Sequence, residues 1–176
     1  MARNFDELLS QIHMGNQQNK NFLSDSDDKL EINSNTREII VPETFSRNIA
    51  VTNDYNSNEV TFVVATEIDG HSIIDCNKKT IKWHNKSSNE RGWSDLAFEE
   101  KDGKLELTWL VPPEATTAAG PLHFAICFCD VNDEGKIFYK WNSLVCTSLS
   151  IAQGLDTVAI QGAALTQIIN IDLISR

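Results

Sequence analysis

Lys104-Leu-Glu-Leu-Thr-Trp-Leu-Val-Pro-Pro113 and, after a short Ala-rich stretch, Leu122-His-Phe-Ala-Ile-Cys-Phe-Cys129 decide the fold class. In the first segment Leu105, Leu107, Trp109 and Val111 point one way along an extended chain while Glu106 and Thr108 point the other, the period-two pattern of a half-buried strand. Pro112-Pro113 ends it, because proline offers no ladder donor. In the second segment Leu122, Phe124, Ile126 and Phe128 form one face and the smaller His123, Ala125, Cys127 and Cys129 the other, as expected of a central core strand.

The rest of the chain from Leu30 to Asp156 follows the same period. Leu30 with Ile32, Ile39 to Val41, and Ile49 with Val51 mark strand starts separated by Asn, Ser, Pro and Thr. Glu59 to Ile68 sets Val60, Phe62, Val64, Thr66 and Ile68 against Thr61, Val63, Ala65 and Glu67, and Asp69-Gly70 closes that strand. Lys79 to His84, Trp93 to Glu99, Ile137 to Trp141 and Leu144 to Ala152 complete the set. Asp102-Gly103 and Asp133-Glu134-Gly135 turn the chain between neighbours, glycine taking a positive φ at little cost. Short strands at this regular spacing predict an all-β domain over residues 30–156, an immunoglobulin-like antiparallel β-sandwich of about eight strands.

A chain of 176 residues is long enough for one core without disulfide staples. Lys and Arg number 15 against 25 Asp and Glu, and the net charge of −10 opposes phosphate backbones and anionic lipid surfaces, so neither nucleic acid nor membrane is an expected partner. No apolar run reaches the length of a membrane span. Met1-Ala-Arg-Asn-Phe-Asp-Glu7 carries no apolar signal core, so Cys76, Cys127, Cys129 and Cys146 are expected to be reduced and buried.

The two ends differ from the middle. Asn4 to His13 reads as a short helix with Asn4 as N-cap and Glu7 completing a capping box; Phe5, Leu8, Leu9 and Ile12 share its apolar face. Met14 to Lys29 is a polar linker whose apolar anchor is Phe22 with Leu23, so residues 1–29 form either a docking arm or a leader without a role. Residues 157–176 hold Val158, Ile160, Leu165, Ile168, Ile169, Ile171, Leu173 and Ile174, apolar surface that calls for cover. Leu165, Ile169, Ile171 and Leu173 suit an added strand on a neighbouring sheet edge, a helix over Ala163 to Ile174 fits nearly as well, and a tail completing its own domain is the third option.

Catalytic and cofactor motifs are not apparent. His13, His71, His84 and His123 are dispersed along the chain. His123, Cys127 and Cys129 share a strand face but spread over roughly 20 Å at about 3.3 Å per residue, too far for one tetrahedral zinc. Asp130 to Gly135 resembles the start of a calcium loop, yet Trp141 stands where that loop needs Glu, so a hairpin turn is expected. Glu99, Glu100 and Asp102 are the acidic residues a glycosidase reading would use, and they read better as a solvated turn. No nucleophile elbow, phosphate loop or dinucleotide fingerprint occurs, so no enzyme, cofactor or metal is expected. Of Trp83, Trp93, Trp109 and Trp141, Trp93 beside Gly92 is the aromatic expected to meet a glycan or another subunit.

Thr108-Trp109-Leu110, the Ala-rich Ala115 to Gly120, Phe124 to Cys127, Trp141-Asn142 and Gly154-Leu155-Asp156 occur in an order that resembles a small structural domain of bacteriophage tail, baseplate and fibre proteins. The resemblance covers Lys79 to Asp156, less than half of the chain. It implies a non-catalytic virion component at a fibre base, a tail or baseplate, or a capsid surface, with other phage virion proteins and further copies of itself as partners. The relatives often continue into a fibre or receptor-binding region, whereas this sequence stops soon after Asp156, which argues against direct receptor binding. A carbohydrate-binding module that touches a host-surface glycan is the alternative. A secreted adhesin-type immunoglobulin domain fits less well, since it would want a signal peptide and often paired cysteines.

Overall fold

In the computed structural model, which describes residues 29–155, the chain is all-β. Thirteen strand segments and one 3-10 turn, Pro113–Thr116, make up its regular structure among the described residues. A first sheet runs in the order β2 (Ile39–Ile40), β1 (Lys29–Ile32), β4 (Glu59–Ala65), β10 (Lys104–Leu110) and β9 (Ala97–Lys101). A second runs β3 (Asn48–Val51), β13 (Cys146–Ala152), β11 (Gly120–Val131), β7 (Lys78–Asn85) and β8 (Arg91–Asp95), with β12 (Ile137–Asn142) also paired to β11. A small hairpin of β5 (Glu67–Ile68) and β6 (His71–Ser72) turns through Asp69 and Gly70, both at positive φ.

On β1, β4, β7, β10 and β11 the alternating patterns predict the core; on β3 they do not, since Ala50 is buried and Val51 is 41 % exposed. Leu30, Phe62 and Leu107 lie in register across the first sheet, and all three are fully buried. On the second sheet Phe124 lies opposite Trp83, and Trp83 opposite Gly92. The inner faces of the two sheets meet where Phe124 contacts Phe62 edge-on at 5.8 Å and Trp109 at 5.6 Å. A Cβ on Gly92 would stand 2.5 Å from the Trp83 ring, so glycine there lets the indole cross beneath β8. Phe128 stacks on Trp141 at 5.6 Å toward the other end of β11.

Three departures from the sequence expectation have physical causes. Trp93 to Glu99 is two strands instead of one: β8 pairs with β7 in the second sheet and β9 with β10 in the first. Leu96 between them turns into the core, 6 % exposed, and its N–H donates to the Lys79 carbonyl at 2.9 Å. The strand count exceeds the expected eight partly for this reason and partly because Glu59 to Ile68 divides at Thr66 into β4 and β5, the latter pairing with the added β6; Leu144 and Val145 also fall before the last strand, in an interruption between β12 and β13. Pairing is also mixed, since β1 runs parallel to β4 and β3 parallel to β13.

The interruption at Leu144 is a bulge. Phe124 pairs with Cys146 and Cys127 with Asn142, so Ala125 and Ile126 face Ser143, Leu144 and Val145. Ser143 repairs the broken ladder: its Oγ accepts from the Ile126 N–H at 2.9 Å, and its own N–H donates to the Ile126 carbonyl at 2.9 Å. Arg37, at a φ of 71°, accepts the Leu144 N–H on its carbonyl and lays its guanidinium over the Trp141 ring at 5.1 Å. The Ala-rich crossover is held by Asn85, whose Nδ2 donates to the Ala115 and Ala118 carbonyls, each at 2.9 Å, while its Oδ1 accepts from the N–H groups of Ser87 and Ser88. With all its bonds made, that fully buried amide costs little to bury.

Phe124→Ala removes a ring that touches both sheets and is expected to lower unfolding stability by about 3–5 kcal/mol. Phe138→Ala, at a side chain 66 % exposed, should stay within about 0.5 kcal/mol. Urea unfolding followed by tryptophan fluorescence reads both, and equal losses would mean that Phe124 does not link the layers.

Candidate functional site

Two places bring together side chains that alternation alone left unrelated. The first lies where the β5–β6 hairpin meets the end of β11. His71 Nε2 stands 2.7 Å from Asp130 Oδ2, and Cys76 Sγ stands 3.5 Å from the same oxygen. Asp130 Oδ1 accepts the Asn77 N–H at 3.0 Å. The Asn77 side chain then grips the Val131 backbone twice, donating to its carbonyl at 2.9 Å and accepting its N–H at 3.0 Å. Tyr139, opposite Asp130 on β12, stacks its ring on the His71 imidazole at 3.5 Å and 9°. Beneath the cluster, Lys79 is 6 % exposed; its Nζ donates to the Cys76 carbonyl at 2.6 Å and lies 3.8 Å over the Phe98 ring.

The electrostatics follow from this packing. Burial, then the adjacent Asp130 carboxylate, pushes the Cys76 thiol up to about 12. Burial alone would raise Asp130, but bonds from His71, Asn77 and Cys76 prevail and hold its carboxyl below the usual range. Burial, then Cys76 and Asp69, raises the Tyr139 phenol. Burial lowers Lys79 against the opposing pull of Cys76, Asp130 and Asp75. A thiol so strongly protonated is a poor nucleophile. The carboxylate, moreover, stands between thiol and imidazole, whereas a nucleophilic triad places the imidazole in the middle.

The second place is the outer face of the second sheet. Trp93 on the edge strand β8 is 64 % exposed and lies in register with Lys82, which faces Ala125 on β11. Beside this row His84 pairs with His123 across β7 and β11, and Arg91 with His84. Burial, then Lys86 and His84, lowers the His123 pKa. Lys82, His84, Arg91, His123, Ala125 and Val145 border an open groove of about 460 Å³. Its basic groups form a local exception on a chain of net charge −10.

Trp93 is thus the one suspected contact residue within the described residues. Phe5, Leu8, Leu9, Ile12 and Phe22 at one end, and Leu165, Ile169, Ile171 and Leu173 at the other, lie outside them, as does the N-terminal helix. All four cysteines are free and buried. Cys127 and Cys129 share a face without His123 joining them into one centre, and burial raises the Cys127 thiol. Asn132 does organise the expected turn, accepting the Glu134 and Lys136 N–H groups on its Oδ1. The His71, Cys76 and Asp130 cluster was not legible as a motif, because the first two stand more than fifty residues from the third. The signal available was weak: a His and a Cys flanking a turn, with an Asp directly after a core strand.

Neither a comparison with family models nor one with curated proteins returns a match to this chain.

The folded Asp130 carboxyl sits below its unfolded value of about 3.9. Its stabilisation is therefore complete above that value and is lost as pH falls through the folded pKa. Urea midpoints measured from neutral pH downward should show wild type well above Asp130→Asn at neutrality, with the gap closing below about pH 4. A gap independent of pH would show that the carboxylate charge contributes nothing.

Proposed function

We propose that the chain is a non-catalytic structural module of a bacteriophage virion, an immunoglobulin-like β-sandwich that anchors or joins copies of itself at a fibre base, tail, baseplate or capsid surface. The observation that carries the proposal is one exposed edge. Among the described residues β12 pairs with β11 alone, and along it and the bulge that follows, Ile137, Phe138, Leu144 and Val145 are each at least half exposed. An unpaired strand edge with adjacent apolar side chains is a template for adding a strand from another chain. Lys136 and Lys140 flank the edge and disfavour indiscriminate pairing.

Further support comes from the ordered resemblance between Lys79 and Asp156, and from the two facing sheets with tryptophans in their core. The protonated Cys76 and the position of Asp130 between thiol and imidazole argue against a thiolate nucleophile. The partner is a second copy first and other virion proteins next, with the virion as the place of work. The apolar side chains of 157–176 are the complementary surface in this proposal. Burial of each large aliphatic side chain there would contribute about 1.5–3 kcal/mol.

One observation favours a second reading, a carbohydrate-binding module. Trp93 is a largely bare ring beside Lys82 and the basic groove, a combination suited to stacking on an acidic sugar.

Light scattering over a concentration series separates the two. The full chain is expected to form a defined oligomer, and both Phe138→Asp and a chain ending at Asp156 should shift it to monomer with the circular dichroism unchanged. A wild-type monomer at every concentration would end the self-assembly reading. A Trp93-dependent signal on a glycan array would then favour the second.

A further inference from the structure

We propose that His71, Cys76 and Asp130 form a zinc site with one position open to solvent. The candidate donor atoms of the three residues all lie within 4.8 Å of one another, and they form the one such His, Cys and acidic grouping among the described residues. Thiolate, imidazole and carboxylate are the donor types that select zinc over calcium or magnesium, which prefer all-oxygen shells.

Distances suit the ion. Zinc binds sulfur at about 2.3 Å, nitrogen at about 2.0–2.1 Å and carboxylate oxygen at about 2.0–2.2 Å. Tetrahedral angles then place sulfur and oxygen about 3.6 Å apart, and nitrogen and oxygen about 3.3 Å. Cys76 Sγ to Asp130 Oδ2 is already 3.5 Å; His71 Nε2 to the same oxygen is 2.7 Å and would open by about 0.6 Å on exchanging a hydrogen bond for a shared metal, while sulfur and imidazole nitrogen, within 4.8 Å of each other, would settle at about 3.6 Å. As the ion enters, the thiol proton leaves to solvent and the imidazole keeps its single proton on the ring nitrogen turned away from the metal. Cation, thiolate and carboxylate then sum to zero charge, so the buried Lys79 nearby opposes the ion less than it would a bare cation.

The donors are held in place by a surrounding shell. The Asn77 N–H fixes Asp130 Oδ1 and leaves Oδ2 directed at the other two ligands. Tyr139 clamps the His71 ring plane, and the two hydrogen bonds between Asn77 and Val131 tie the Cys76 loop to β11. Such outer partners normally accompany a metal site and set ligand orientation. Without the ion the Cys76 thiol donates to that same oxygen, a hydrogen bond that the metal would replace. Bound zinc would pin the β5–β6 hairpin to the end of β11 beside the exposed edge.

Cobalt is the probe, because a thiolate ligand gives it a near-ultraviolet charge-transfer band. Reduced, chelator-stripped full chain titrated with Co²⁺ should develop that band at one equivalent, and Zn²⁺ should displace it. Cys76→Ser should abolish the band and His71→Ala weaken binding by more than about tenfold, since even outer-shell losses cost that much. Cys127→Ser and Cys129→Ser should leave it intact. Circular dichroism of each variant reports folding, and His71, with its side chain 33 % exposed, tolerates truncation if Cys76→Ser does not. A folded wild type without the band, or a band that survives both Cys76→Ser and His71→Ala, overturns the site.

Discussion

Phe124 touches Phe62 and Trp109 on the opposite sheet, and the strand that carries it is paired along both edges, with β7 on one side and with β13 and β12 in turn on the other. That makes β11 the constraint on which the other elements depend. Its inner face must be apolar because both layers close on it, and its outer face must be small because strands crowd it from both sides. Leu122, Phe124, Ile126 and Phe128 meet the first demand and Ala125, Cys127 and Cys129 the second.

A strand so fully engaged leaves the irregular chemistry to its ends and its neighbours. The partner strand cannot follow β11 without a break, and Ser143 restores the ladder where Leu144 and Val145 are extruded. The same break therefore exposes Leu144 and Val145 at one end of the apolar edge. At the far end, where β11 leaves the core, Asp130 emerges among His71, Cys76 and Tyr139. The polar cluster and the exposed residues at the break thus share one origin, the departure of a core strand and its partner from perfect register.

Exposed edge and polar cluster also differ in what they demand of the fold. The edge needs only exposed backbone and side chains, which many sequences would provide. The cluster needs three donors from separate elements within a few ångströms, held by Asn77 and backed by a buried lysine. Buried polar groups persist when every partner is in place, and their geometry is then rigid. That rigidity is what a metal or an oriented hydrogen-bond network both require.

The sequence by itself determined the strands and the core. Period-two alternation is a local property, so Leu105, Leu107, Trp109 and Val111, the inner row of β11, and the turns at Asp69-Gly70, Asp102-Gly103 and Gly135 could all be read from neighbours along the chain. The exposure of Trp93 was legible from the glycine beside it, Gly92. Only the tertiary structure decided which sheet each strand joins, because pairing depends on partners far away in the chain. Leu96 turning inward sends β8 and β9 to different layers, and β1 and β3 enter in parallel, neither of which alternation encodes. Asp130 read as part of a turn becomes the centre of a cluster because the β5–β6 hairpin folds back onto it across more than fifty residues. No spacing rule reaches that far, since the contact is made by sheet packing and not by the repeat of one strand.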